Sequence, residues 1–176
     1  MDAMQAIMTR RSVRRYSDRH IGDEALRAIL KAGMSGPSCV NARDWSFIVV
    51  RDRDMLARMA EANGRPAEPL KHADAGILVC GDLSRAFPHA KEYWVIDGAI
   101  AAQNMVLAAQ SLGIGSVWLG TWPQMDRVER QEKLFDLPEH IVPHSILALG
   151  YPEEDEEQGP RPKPEWEADR VHFERW

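Results

Sequence analysis

Apolar positions along the chain recur in two periods, and the alternation of those periods outlines a layered domain. Met4, Ile7 and Met8 at i, i+3, i+4 spacing predict a short amphipathic helix over residues 2–9. Leu26, Ile29 and Leu30 predict a second, with Gly22-Asp23-Glu24 placing acids in its first turn and Gly33 and Gly36 marking its end. Trp45 to Val50 reads as a strand. Asp52 to Ala62 reads as a third helix, capped by Asp52 or Asp54, with Met55, Leu56 and Met59 facing inward. Residues 63–72, with Gly64, Pro66 and Pro69, read as a loop. Ala75-Gly76-Ile77-Leu78-Val79-Cys80-Gly81 is a continuous apolar run, which suits a strand covered on both faces. Tyr93 to Leu112 predicts the longest helix, apolar nearly all round, and hence the central helix of the core or of a large dimer interface. Ile114 to Gly120 and His144 to Leu149 read as strands, with a helix over Asp126 to Phe135 between them. The alternation of Arg170–Trp176 suits a terminal strand. It follows about twenty extended residues, enough to pair with a distant sheet, a partner's included.

Mixed strands and helices in 176 residues give one α/β layered domain spanning 1–176. Hydrophobic residues at 44% are enough for a substantial core. A net charge of -5 disfavours non-specific nucleic-acid binding. No apolar run reaches membrane-spanning length and residues 1–20 lack a signal-peptide core, so a cytoplasmic location and no membrane partner are expected. Cys39 and Cys80 make no disulfide framework, and no metal cluster is visible among the six histidines, which lack a cysteine partner.

Against this acidic background one stretch stands out. Arg10-Arg11-Ser12-Val13-Arg14 holds three guanidinium groups and a hydroxyl in five residues, with Arg15 and Arg19 close behind. It is either a solvated basic turn or an oxyanion site, since a small hydroxyl beside bidentate donors suits a phosphate. Pro37-Ser38-Cys39-Val40-Asn41 is either turn chemistry or a short-range donor and acceptor set. Gly113 and Gly115 do not make a dinucleotide fingerprint. The third glycine position holds Trp118, and the segment leaves a helix for a strand. No catalytic acid/base pair stands out, which points to chemistry carried by a cofactor.

Taken in order, these pieces resemble the FMN-dependent nitroreductase family. The motifs are Arg10–Arg14, Pro37–Asn41 leading through Trp45, the helix Asp97–Asn104 continuing to Trp118-Leu119-Gly120, and Leu149–Pro152 followed by Arg161-Pro162-Lys163. The resemblance implies an α+β, three-layer α/β/α fold. Its central, mostly antiparallel sheet is flanked by helices, and its C-terminal strand is exchanged in a homodimer. It implies FMN as cofactor, NADH or NADPH as donor, and ping-pong two-electron reduction of a small-molecule acceptor such as a nitroaromatic or quinone. Arg10, Arg11, Ser12 and Arg14 are then ligands of the FMN phosphate and ribityl chain, with Arg14 also near the ring. Arg161 and Lys163 complete the phosphate site. Pro37, Ser38 and Asn41 reach the flavin from the second protomer, and Trp118, Leu119 and Gly120 wall the ring. The chain departs from many relatives at Arg43-Asp44, where Gln-Pro is usual, and Asn63 is the one candidate for a ring-edge asparagine. A flavin-binding protein without turnover and an arginine-rich nucleic-acid binder are the competing readings, the latter opposed by the net charge.

Overall fold

Ala75–Asp82 is the strand around which the molecule is built, because every residue from Ala75 to Gly81 is buried. Such a strand needs cover on both faces, and two apolar clusters supply it. Leu56, Met59, Leu70 and Ile146 lie on one side, and Ile29, Ile77, Met105 and Leu147 on the other. In chain order the computed structural model contains α1 (Ala3–Thr9), α2 (Asp23–Met34), β1 (Trp45–Val50), α3 (Arg53–Asn63), β2 (Ala75–Asp82), α4 (Tyr93–Ser111), β3 (Gly115–Gly120), α5 (Met125–Phe135) and β4 (Ile141–Gly150). It describes residues 1–153 and 165–176.

The strands form one sheet in the order β1-β2-β4-β3, with every pair antiparallel. This is the α+β layered arrangement that the resemblance implies. Helix starts follow the expected chemistry. Asp2 Oδ1 accepts from Gln5 N–H and Asp52 Oδ1 from Met55 N–H, each at 2.8 Å, so Asp52 is the cap of α3. Asp136, at φ 48°, ends α5 before Pro138 is reached.

Three expectations change. Residues Arg65–His72 are a 3-10 helix rather than a loop: Pro66 sits in its first turn, and Ala67 and Leu70 are buried. The face of α1 holding Met4, Ile7 and Met8 is exposed, as are Tyr93 and Ile96 of α4. The apolar all-round α4 therefore has one covered face and one open one. Arg170–Trp176 is not a strand in the single chain. Ala168–Arg170 is a 3-10 turn and residues 171–176 join no ladder among the described residues, because the single chain leaves them no strand to pair with.

Candidate functional site

The arginine stretch lies as a strap along the outer edge of β3. Val13 N–H donates to Ser116 O at 2.8 Å, making Ser12 and Ser116 a parallel bridge. Two buried side chains lock the strap from beneath. Val13 packs on Gly115 and Tyr16 on Gly150. A Cβ at either glycine would lie 2.8 Å from Val13 or 2.6 Å from Tyr16. Tyr16 O–H donates to Val13 O at 2.7 Å, closing the turn of the strap, and Ser17 N–H donates to Tyr151 O at 2.8 Å. Burying Val13 and Tyr16 stabilises this arrangement by about 1.5–3 kcal/mol each.

The strap sorts its own arginines. Arg15 is paired with Glu153 at 2.7 Å, and the Arg19 guanidinium lies 3.8 Å above the Tyr151 ring. Those two hold the strap to the end of β4. Arg11 and Arg14 make no hydrogen bond or ion pair among the described residues. Arg14 instead borders a basic cavity of about 620 Å³ lined also by Arg15, Asp18, Arg53, Lys71, His72 and Glu153. Four permanent cations face two carboxylates there, in a chain whose net charge is -5. Sequence reasoning passed over Lys71, His72 and Arg53. Their signal was a Lys-His pair after two prolines, without any indication that it returns to the strap.

Beyond Ser116 the same strand edge carries Trp118 and Gly120. In an antiparallel strand alternate residues point both backbone groups the same way, so Ser116, Trp118 and Gly120 share the outer edge while Val117 and Leu119 turn toward β4. Gly120 lies four residues past Ser116, about 13 Å along the strand. Its carbonyl accepts from Asn63 Nδ2–H at 3.1 Å and from Arg127 Nη1–H at 2.9 Å. Asn63 is fully buried and its Oδ1 accepts from Thr121 O–H at 2.8 Å. Asn63 therefore fixes the end of β3. A Cβ at Gly120 would meet no protein atom within 4 Å, so protein packing alone does not demand glycine there. Trp118 is 37% exposed and Leu119 is buried.

Trp118 has a support that the scattered histidines gave no hint of. The β2–β4 register shifts between Val79↔Ser145 and Cys80↔Pro143, leaving His144 as the extra residue of a bulge. The bulge turns His144 toward α4. There its ring packs at Gly98 and meets Trp94 and Trp118 edge-on, with centroids 5.8 and 5.9 Å apart. Burial lowers its pKa below the ordinary histidine value, partly opposed by a hydrogen bond to the Val95 backbone.

Pro37, Ser38 and Asn41 are not near this edge. They lie between α2 and β1, at the opposite side of a sheet in which β2 and β4 stand between β1 and β3. Three strand spacings put the two edges about 14 Å apart. The segment is unusual in its backbone. Val40, Asn41 and Arg43 all have positive φ, at 45°, 59° and 51°. Ser38 Oγ accepts from Arg43 N–H at 2.9 Å and Asn41 Oδ1 from Arg43 Nε–H at 3.0 Å. The Asn41 amide NH₂ and the Ser38 hydroxyl hydrogen remain to donate outward. Arg161 and Lys163 lie outside the described residues.

The arginine strap, an adjoining basic cavity and an open run of strand backbone thus lie along one edge of the sheet. The chain belongs to the Nitroreductase family, whose model matches residues 7–79 and 67–151. A relative from Methanothermobacter thermautotrophicus named NADH dehydrogenase/NAD(P)H nitroreductase is 46% identical over 176 residues, covering 100% of this chain and 88% of its own. The FMN reductase [NAD(P)H] of Bacillus subtilis is 28% identical over 91% of this chain and 70% of its own. The solved FMN-dependent nitroreductase of Clostridium difficile R20291 superimposes with a TM-score of 0.84 at 27% identity, over 98% of this chain and 99% of its own.

Proposed function

We propose that this protein accepts a hydride from NADH or NADPH and passes two electrons to a small-molecule acceptor such as a nitroaromatic or quinone, in alternating half-reactions at one site. It is an NAD(P)H-dependent FMN oxidoreductase of the nitroreductase family. The observation that carries the reading is the Ser12–Ser116 bridge, which sets the strap's donors and the open edge of β3 on one line.

The residues fit FMN. A phosphate monoester carries about two negative charges near neutral pH, and Arg10, Arg11 and Ser12 offer charge-assisted donors for it, with Arg161 and Lys163 assigned to the same group. Arg14, at the rim of the basic cavity, suits the electron-rich carbonyl edge of the ring. The outward N–H groups of Trp118 and Gly120 suit the ring's polar atoms, and the Trp118 face, braced by His144, supplies a wall. The flavin supplies the hydride-accepting and electron-donating chemistry when bound. The chain's own part is to hold the ring in place, neutralise the phosphate and leave one face open to donor and acceptor in turn.

The site is completed by a second copy. Pro37, Ser38 and Asn41 lie too far from their own β3 edge to share its ligand, so they serve the partner's. The exposed faces of α1 and α4 form the surface that a second copy covers. The outer edge of β1 is open beside a groove of about 440 Å³ lined by Leu30, Met34, Trp45 and Phe47, among others. Phe173 and Trp176, 82% and 102% exposed, are suited to fill the partner's groove, with 170–176 pairing along β1.

Visible absorbance of the purified protein tests this reading, followed by anaerobic titration with NADH and with NADPH. A yellow protein bleached by either and reoxidised by a quinone is expected. A colourless protein that takes up no FMN defeats the flavin assignment, and a flavin that neither donor bleaches defeats the oxidoreductase.

A further inference from the structure

The left-handed segment Val40–Arg43 has an anchor beneath it. Non-glycine residues at positive φ are uncommon, and a β-branched valine there is an outlier that persists only where surrounding structure enforces it. The start of the segment is anchored by Asp97 of α4. It is 2% exposed, and its two oxygens accept the Cys39 N–H at 3.1 and 3.0 Å. Against Asp97 lies Asp44, 1% exposed, with neither carboxylate oxygen finding a donor in the surrounding protein. Two acceptors face each other in a buried place, and one hydrogen between them removes the conflict.

We propose that Asp44 and Asp97 share one proton, and that this protonated pair positions the 39–43 segment so that Ser38 and Asn41 meet the partner's flavin. The proposal rests on the assignment of that segment to the flavin site. Asp44 and Asp97 are positioning residues, since they act through the Cys39 amide and the turn that follows it.

The surrounding charges agree. Burial, then the charge of Asp97, then a hydrogen bond to it, push the Asp44 carboxyl up to about 6, against a lowering by Asp44's own backbone N–H. Asp82, from β2, adds a further carboxylate, and its N–H donates to Asp44 O at 2.6 Å. The Cys39 thiol is pushed up by burial first and by both aspartates after it. His144, reaching α4 from β4 at Gly98, has a lowered pKa that favours the neutral ring. Arg43, the cation next in sequence, gives its Nε–H to Asn41 and not to the pair. Because the folded value of Asp44 exceeds its ordinary value of 3.8, the folded form binds the extra proton between those limits. The shared proton is fully in place below that window and is lost as pH rises through about 6.

The test compares wild type with Asp44→Asn at about pH 5 and about pH 8, on either side of the folded value of about 6. Asparagine donates an amide N–H to Asp97 at both values and so replaces the proton permanently. Two quantities are measured: hydrogen exchange of the Cys39–Arg43 amides, and FMN affinity. Wild type is expected to lose protection in this segment, and to bind FMN more weakly, as pH rises. The loss of affinity should exceed that of Asp44→Asn by about tenfold, one unit of differential proton affinity. Titration of the FMN phosphate affects both proteins alike and cancels. Asp97→Ala removes the acceptor for Cys39 and is expected to weaken FMN at both pH values. If that variant fails to fold, Asp44→Asn still decides.

Identical pH profiles in wild type and Asp44→Asn overturn the shared proton. An exchange profile that follows pH while FMN affinity does not overturns the positioning role. A protein that takes up no FMN defeats the flavin reading, and the exchange comparison still judges the pair.

Discussion

The two edges of the sheet are built on opposite plans. At the β3 edge the protein closes its own surface: the strap is bridged to Ser116, seated on Gly115 and Gly150, and tied by Arg15 to Glu153. At the β1 edge the strand is left open beside a groove lined by Leu30, Met34, Trp45 and Phe47 together with Arg43 and Arg85, and the nearby positive-φ turn is anchored at Cys39 by buried Asp97. In the proposed function the first edge is one half of a site and the second is the surface that meets a second copy, so that a symmetric dimer would hold two such sites.

The contrast can be broken most sharply by removing residues 165–176. Burying Phe173 and Trp176 is worth about 1.5–3 kcal/mol each, so their loss should weaken self-association by two orders of magnitude or more. Analytical ultracentrifugation measures this, while circular dichroism should show the monomer fold intact. An unchanged association constant would remove the tail from the β1 edge. Next in size, Arg11→Ala is expected to cost about 1.5–3 kcal/mol of FMN binding, read by titrating apoprotein with FMN. Full affinity in that variant would leave the strap as a structural turn only.

A steric probe sharpens the same comparison. Gly115→Ala places a methyl 2.8 Å from Val13 and should lift the strap, costing about 1–3 kcal/mol in stability and lowering FMN affinity. Exchange protection of the 39–43 segment should not change, because the other edge shares no contact with Gly115. The gentlest probe is thiol alkylation. Burial pushes the Cys80 thiol up to about 12, so only about one molecule in ten thousand carries its thiolate at pH 8. Half-exposed Cys39 should be alkylated long before Cys80, as mass spectrometry of the native protein would show.

Much of the framework was legible because the interior obeys simple periods. The apolar run Ala75–Gly81 is β2, and the cap at Asp52 begins its helix as chemistry requires. Legibility failed where a residue's role is fixed by a distant neighbour. Nothing near Ser12 announces Ser116, and nothing near His144 announces a bulge, since a register shift belongs to a pair of strands. Asp44 and Asp97 were visible as a departure from the usual pattern and as a polar interruption of an apolar helix. Their contact was not. The alternation at Arg170–Trp176 was legible, but the single chain offers it no ladder. The strap's division of labour, with Arg15 and Arg19 structural and Arg11 and Arg14 without an ion pair among the described residues, required coordinates.

The strand order also sets a timetable. β4, the last of the four to leave the ribosome, lies between β2 and β3, so β3 has no place in the sheet until β4 arrives. The strap is synthesised well before its seat at Ser116, which follows it by roughly 100 residues, about 5–20 s of translation. Its other anchor, Pro152, comes later still. The newborn chain therefore carries Arg10–Arg14 unseated through much of its synthesis. The strap finds its seat late and abruptly, when β4 slides into the gap and holds β3 in the sheet.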